Sequence, residues 1–95
     1  MKVKIKKLDE DAIIPSYAHE DDAGADLFSV GDYEINPGER ILAKTGIAVE
    51  IPKGYEMQIR PKSGLALKNG ISIVNTPGTV DSGYRGEIGV ILINL

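Results

Sequence analysis

The sequence predicts an all-β fold, a sandwich or barrel carrying one short helix. Three observations predict it. Turn signals recur roughly every ten residues, the spacing of short antiparallel strands. Between them apolar and polar residues alternate, as in Lys2-Val3-Lys4-Ile5-Lys6. Eleven glycines, five prolines and many β-branched residues weigh against a helical bundle.

Taken in order, Val3 and Ile5 share one face of a half-buried strand. The polar stretch from Asp9 to Asp22, broken by Pro15, is expected to be irregular, with Ile13 and Ile14 packed against the rest. Asp26 to Val30 is a short predicted strand, and Gly31-Asp32 turns the chain into Tyr33-Glu34-Ile35. Asn36-Pro37-Gly38-Glu39 is a strong turn, because proline presets φ at its second position and glycine supplies positive φ at its third. Arg40 to Ile51 is strand-like, with Gly46 a candidate bulge. Pro52-Lys53-Gly54 makes another turn before Tyr55 to Arg60, where Tyr55, Met57 and Ile59 share a face. The one helical stretch has Ser63 as the cap of Gly64 to Lys68, stopped by Asn69-Gly70 in the left-handed region. Strands resume at Ile71 to Val74, Gly78 to Val80 and Glu87 to Leu95.

The last of these is unusual. Ile88-Gly89-Val90-Ile91-Leu92-Ile93-Asn94-Leu95 runs apolar on both sides and stops without a turn or polar tail. A bare edge of this kind invites aggregation. Two expectations follow: other chains cover this strand, and the sequence is a piece of a longer protein.

Length and charge narrow the field. At 95 residues, 42% of them apolar, the chain is expected to form a single domain over residues 1–95. No apolar run approaches the ~20 residues of a membrane helix, and no signal peptide opens the sequence, so the cytoplasm is the expected location. Without cysteine there is no disulfide, thiolate metal site or thiol nucleophile. Eleven basic against fourteen acidic residues give a formal charge of −3 and no footprint for nucleic acid.

Three clusters carry chemistry. Ala23-Gly24-Ala25-Asp26-Leu27-Phe28-Ser29 sets a carboxylate behind a glycine at the start of a strand. Arg60-Pro61-Lys62-Ser63-Gly64-Leu65-Ala66 brings a cation, a hydroxyl and free backbone N–H groups to a helix start, where the dipole favours an anion such as phosphate. Asn75-Thr76-Pro77-Gly78-Thr79-Val80-Asp81-Ser82-Gly83-Tyr84-Arg85-Gly86-Glu87 reads as a hairpin bearing an amide, a carboxylate, a phenol and a guanidinium. Each also has a plain structural explanation: a turn before a strand, a helix cap, and a hairpin in which Arg85 pairs with Glu87 or Asp81. His19, beside Glu20-Asp21-Asp22, is expected to be solvated, and Tyr17 and Tyr33 to pack.

In this order and spacing the clusters resemble the first three motifs of the trimeric deoxyuridine triphosphatases (dUTPases). Ala23 to Ser29 matches the first, Pro61 to Ala66 the second and Gly78 to Glu87 the third. Gly46-Ile47-Ala48 and Ile51-Pro52-Lys53-Gly54-Tyr55 also look like the family, so the resemblance spans essentially the whole chain.

The resemblance implies a distorted jelly-roll or β-clip sandwich that assembles as a homotrimer, with sites at subunit boundaries. It implies hydrolysis of dUTP to dUMP and pyrophosphate with Mg2+ carried by the triphosphate. Asp81 would orient and deprotonate the water attacking the α-phosphorus, the work of a general base. Tyr84 would lie beneath the deoxyribose and exclude a 2′-hydroxyl. Asn75 and the backbone around Gly78 would bond the uracil edge, leaving polar groups unpaired against cytosine. Lys62, Ser63 and Gly64 would hold phosphates, and Asp26 would act on the water shell of magnesium. Arg85 would either support the third motif or meet phosphate.

The sequence departs from the family at two points. Lys62 stands where the family most often has arginine, keeping the charge but losing the two-toothed fork. A fourth motif with Gly-Asp-Arg, and a fifth, glycine-rich arm with an arginine and a phenylalanine, have no counterpart in these residues. The domain is therefore expected to lack its C-terminal strand and arm. A related enzyme class, the dCTP deaminases, is disfavoured because Val90 to Asn94 contains no glutamate. The other alternative is a non-catalytic nucleotide-binding β module.

Overall fold

Alternation and turn chemistry produce seven short strands and one helix in a computed structural model that describes residues 1–95. β1 (Lys4–Lys7) pairs antiparallel with β3 (Ile47–Glu50), Ile5 opposite Val49. β4 (Met57–Ile59) pairs with β6 (Gly78–Val80), Ile59 opposite Gly78. The third sheet has three strands: β2 (Arg40–Lys44) and β5 (Ile71–Ile73) flank β7 (Gly89–Asn94). α1 (Ser63–Asn69) joins β4 to β5 and buries none of its residues. No helix is long and apolar enough to cross a membrane.

The core draws on β3, β4, β5 and β6 and on the segments between elements. Ile47 and Ile88 are its most enclosed large side chains, packed with Ala12, Val49, Ile51, Ile59, Ile73 and Val80. Val90 and Leu92 reach this cluster from one face of β7. Strand alternation turns Ile91 and Ile93 to the other face, where Ile91 lies opposite a 55% exposed Leu42. The apolar run at the end of the chain is therefore an interior strand with both edges paired. Its outer face is the part left open.

The glycine turns form as expected. Gly38 (φ +79°) closes a turn in which Glu39 N–H donates to the Asn36 carbonyl at 2.9 Å. Gly54 (φ +90°) does the same after Pro52, and Gly70 (φ +66°) ends α1 in the left-handed region.

Several local expectations are corrected. Arg40 to Ile51 is two strands, because Gly46 at φ +69° turns the chain between them. A Cβ there would sit 2.8 Å from Val30 and 3.0 Å from Ala12 and Asp9, so only glycine fits. Asp26 to Val30 and Tyr33 to Ile35 are not strands. Their ladder reduces to a Ser16–Asp26 bridge and a bond from Val30 N–H to the Lys44 carbonyl. Ile13 and Ile14 stay 52% and 43% exposed, while neighbouring Ala12 takes the buried place. Tyr17 is exposed, and Tyr33 spends its hydroxyl accepting the Lys44 N–H. Ser63 is the first helical residue and not the cap; Lys62 holds that position with extended dihedrals and no side-chain bond. The third cluster is not a hairpin, since β6 pairs with β4 and β7 with β2 and β5.

Candidate active site

Asp81 to Ile88 connects β6 to β7 outside any ladder. Tyr84 N–H donates to the Asp81 carbonyl at 3.0 Å, closing a tight turn with Asp81 and Tyr84 at its two ends. Both are exposed, and both line one open recess of about 190 Å3 between Thr79 and Gly89. The Tyr84 hydroxyl donates to the Glu87 carbonyl at 2.8 Å, which fixes the direction of the ring. The ring lies against Gly86, where a Cβ would come within 2.6 Å of the phenolic oxygen.

The far end of this loop is held by the corner between β2 and β3. Gly46 N–H donates to Glu87 Oε2 at 2.9 Å, and the buried Thr45 hydroxyl donates to the Ile88 carbonyl at 2.6 Å. Ile88 N–H returns a bond to the Ile47 carbonyl at 2.9 Å. Thr45 and Glu87 were not legible as supports of the site. Gly46 left a trace as a candidate bulge.

Arg85 lines a different cleft, an open one of about 550 Å3 shared with Lys2, Lys4, Glu50 and Lys53. Its Nη1 donates to the carbonyls of Ser82 at 2.6 Å and Tyr84 at 3.2 Å. Its Nη2 lies 3.5 Å from Glu50 Oε1, so the ionic partner is Glu50 and neither Glu87 nor Asp81.

The remaining residues form two further groups. Asn75 meets Gly78 across the turn between β5 and β6: a Cβ on Gly78 would stand 3.4 Å from Asn75 Nδ2. Asp26 and Lys62, from the first and second clusters, form an ion pair with Nζ 3.4 Å from Oδ1. Ser63 and Gly64 follow at the exposed start of α1. None of these residues lines either cleft beside the Asp81–Tyr84 turn. His19 is exposed, as expected, with its N–H on Asp22.

Nowhere do three or more His, Asp or Glu side chains converge as a metal cage. Asp26 offers one hard oxygen donor beside a cation. That suits an outer-sphere contact with magnesium, an ion that retains several waters and takes much of its coordination from phosphates.

The chain as a whole has counterparts among known proteins. A family model described as dUTPase matches residues 10–95. The deoxyuridine 5'-triphosphate nucleotidohydrolase of Trichodesmium erythraeum is 67% identical over 94 residues, 99% of this chain and 66% of that protein. The enzyme of the same name from Clostridium tetani is 64% identical over 92 residues, 97% of this chain and 63% of its own length. The chain thus spans about two thirds of these curated relatives. Among solved structures, a mutant dUTPase from phage phi11 of S. aureus, described with a structural Mg(II) ion, superposes with a TM-score of 0.92 at 34% identity. The match covers 99% of this chain and 60% of that one. A mutant dUTPase of Staphylococcus bacteriophage 80alpha, solved with dUpNHpp, gives 0.90 at 33% identity over 98% of this chain and 59% of its own. The all-β, jelly-roll-like architecture expected from the sequence is the fold these structures share. By its matched profile and by its relatives, the chain belongs to the dUTPase family.

Proposed function

We propose that this protein hydrolyses dUTP to dUMP and pyrophosphate and so keeps uracil out of DNA. The observation that carries this reading is the juxtaposition of Asp81 and Tyr84 on one exposed turn beside an open recess. The names of the relatives, and the dUpNHpp bound by a structural neighbour, support the same substrate.

In this reading Asp81 accepts a proton from a water whose oxygen bonds to the α-phosphorus. The bond from that phosphorus to the bridging oxygen breaks, and pyrophosphate leaves with the electron pair. An exposed carboxylate on a backbone-closed turn suits the task, because a general base must be held within hydrogen-bond reach of its water. Tyr84, held by its bond to Glu87, presents a ring face to the sugar and leaves no room for a 2′-hydroxyl. Asn75 and the backbone at Gly78 read the uracil edge. Lys62, Ser63 and Gly64 hold phosphates, and Asp26 meets the hydration shell of Mg2+. Magnesium, when bound with the triphosphate, supplies charge neutralisation for the departing pyrophosphate.

We place these groups in one site by assembly into a homotrimer, in the cytoplasm. Within one chain the Asp26–Lys62 pair and the Asp81–Tyr84 recess are separate. The outer face of β7, with Leu42 more than half exposed, offers an apolar surface for neighbouring subunits.

The test is Asp81→Asn in the whole protein. Hydrolysis of dUTP should fall by about 10² to 10⁴, the range general-base catalysis contributes, while a non-hydrolysable analogue still binds. Normal turnover by the mutant would remove Asp81 from the role. Ammonia release from dCTP by the wild type would favour the deaminase class, and analogue binding without turnover would favour a non-catalytic module.

A further inference from the structure

Arg85 sits next to Tyr84 in sequence yet does not line the recess that holds Asp81 and Tyr84. Its guanidinium is spent on the other side of the turn. Nη1 bridges two carbonyl oxygens of the turn, Ser82 at 2.6 Å and Tyr84 at 3.2 Å. Nη2 reaches Glu50 at the end of β3, 3.5 Å away, and Glu50 also meets Lys4 of β1 at 3.9 Å. One planar cation thus ties the two carbonyls of a connecting loop to the sheet made by β1 and β3.

We propose that Arg85 is a positioning residue: clamped on Glu50, it holds the Ser82–Tyr84 backbone so that Asp81 and Tyr84 keep their relative placement. This rests on the roles proposed above for those two side chains. The turn has no strand partner, so the guanidinium supplies bonds that a ladder would otherwise provide. The fork is required. Charge-assisted bonds from a rigid planar donor fix orientation, whereas a lysine offers a single flexible point charge. The Glu50 pair is solvent-exposed on both sides, 51% and 54%, so its contribution is to aim the guanidinium.

Three variants of the whole protein decide the matter: Arg85→Ala, Arg85→Lys and Glu50→Gln. Two readouts are taken, steady-state kinetics with dUTP and UTP, and hydrogen–deuterium exchange over residues 81–88. Arg85→Ala should lower kcat for dUTP and the preference for dUTP over UTP, each by about tenfold, the scale of a small misplacement of reacting groups. It should also speed exchange at the Tyr84 amide. Arg85→Lys should rescue neither readout. Glu50→Gln should show the same changes at about two- to threefold, matching an exposed pair.

A rise in KM alone for Arg85→Ala, with kcat, selectivity and exchange unchanged, would overturn the proposal in favour of a phosphate contact. Full rescue by Arg85→Lys would also overturn it. If the wild type does not hydrolyse dUTP, the assignment of Asp81 fails; the exchange measurement then still decides whether Arg85 clamps the turn.

Discussion

Lys62 Nζ stands 3.4 Å from Asp26 Oδ1, joining the residue expected to meet phosphate to the one expected to meet magnesium's water shell. The lysine side chain is 67% exposed and the carboxylate 33%, so the pair is screened and contributes little to folding. Its interest is electrostatic. A cation and an anion already side by side complement a triphosphate carrying a divalent ion, each finding its opposite charge on the ligand.

Lys62→Ala should therefore change unfolding free energy by less than about 1 kcal/mol. Its KM for dUTP should rise about tenfold, since a hydrogen bond to a charged group is worth about 1.5–3 kcal/mol. Lys62→Arg should bind substrate at least as well as the wild type, because the fork suits phosphate geometry. Denaturant melts and steady-state kinetics on the same preparations check both.

Gly86→Ala tests the seat of Tyr84. The new methyl would lie 2.6 Å from the phenolic oxygen and 2.8 Å from Cζ, so the ring must move. Tyr84 is 46% exposed, and stability should change little. The value of kcat/KM for dUTP should fall by up to about 10², the cost of misplacing a substrate-positioning group by roughly an ångström. Discrimination against UTP should weaken in the same assay.

Gly46→Ala is the opposite case, with the damage in the fold. The substituted residue would have to hold φ +69° while its Cβ met Val30 at 2.8 Å. A left-handed non-glycine costs about 1–3 kcal/mol before any clash is counted. The variant should lose about 3 kcal/mol or more in a denaturant melt, or fail to accumulate. Because Gly46 N–H also bonds Glu87, faster hydrogen exchange should extend into the loop that carries Tyr84.

Leu42→Glu probes the outer face of the central sheet. Leu42 is 55% exposed, so a charge there is tolerated in a single chain. In the proposed homotrimer, subunits meeting on that face would desolvate an unpaired carboxylate. Sedimentation velocity should then show a shift from trimer to monomer for the whole protein; an unchanged trimer would place the contact elsewhere.

Local chemistry made much of this protein readable in advance. Pro37-Gly38, Pro52 to Gly54 and Asn69-Gly70 turn where expected, because proline and glycine carry their φ preferences with them. The Asp81 to Gly86 segment stood out as functional groups too dense for an ordinary connection. Their mutual arrangement was not. Asp26 pairs with Lys62 and Arg85 with Glu50 across long stretches of chain, and no spacing rule announces such partners.

What the sequence determined by itself is where the backbone turns, which residues alternate toward a core, and which side chains carry chemistry. The tertiary structure alone decided which strand each segment joins. β6 chose β4 over its neighbour in sequence, β7 became an interior strand, and Asp26 to Val30 formed no ladder. The reason is physical: a turn is governed by the dihedral freedom of two or three residues, whereas a β-ladder exists only when a distant strand supplies the other half of every hydrogen bond.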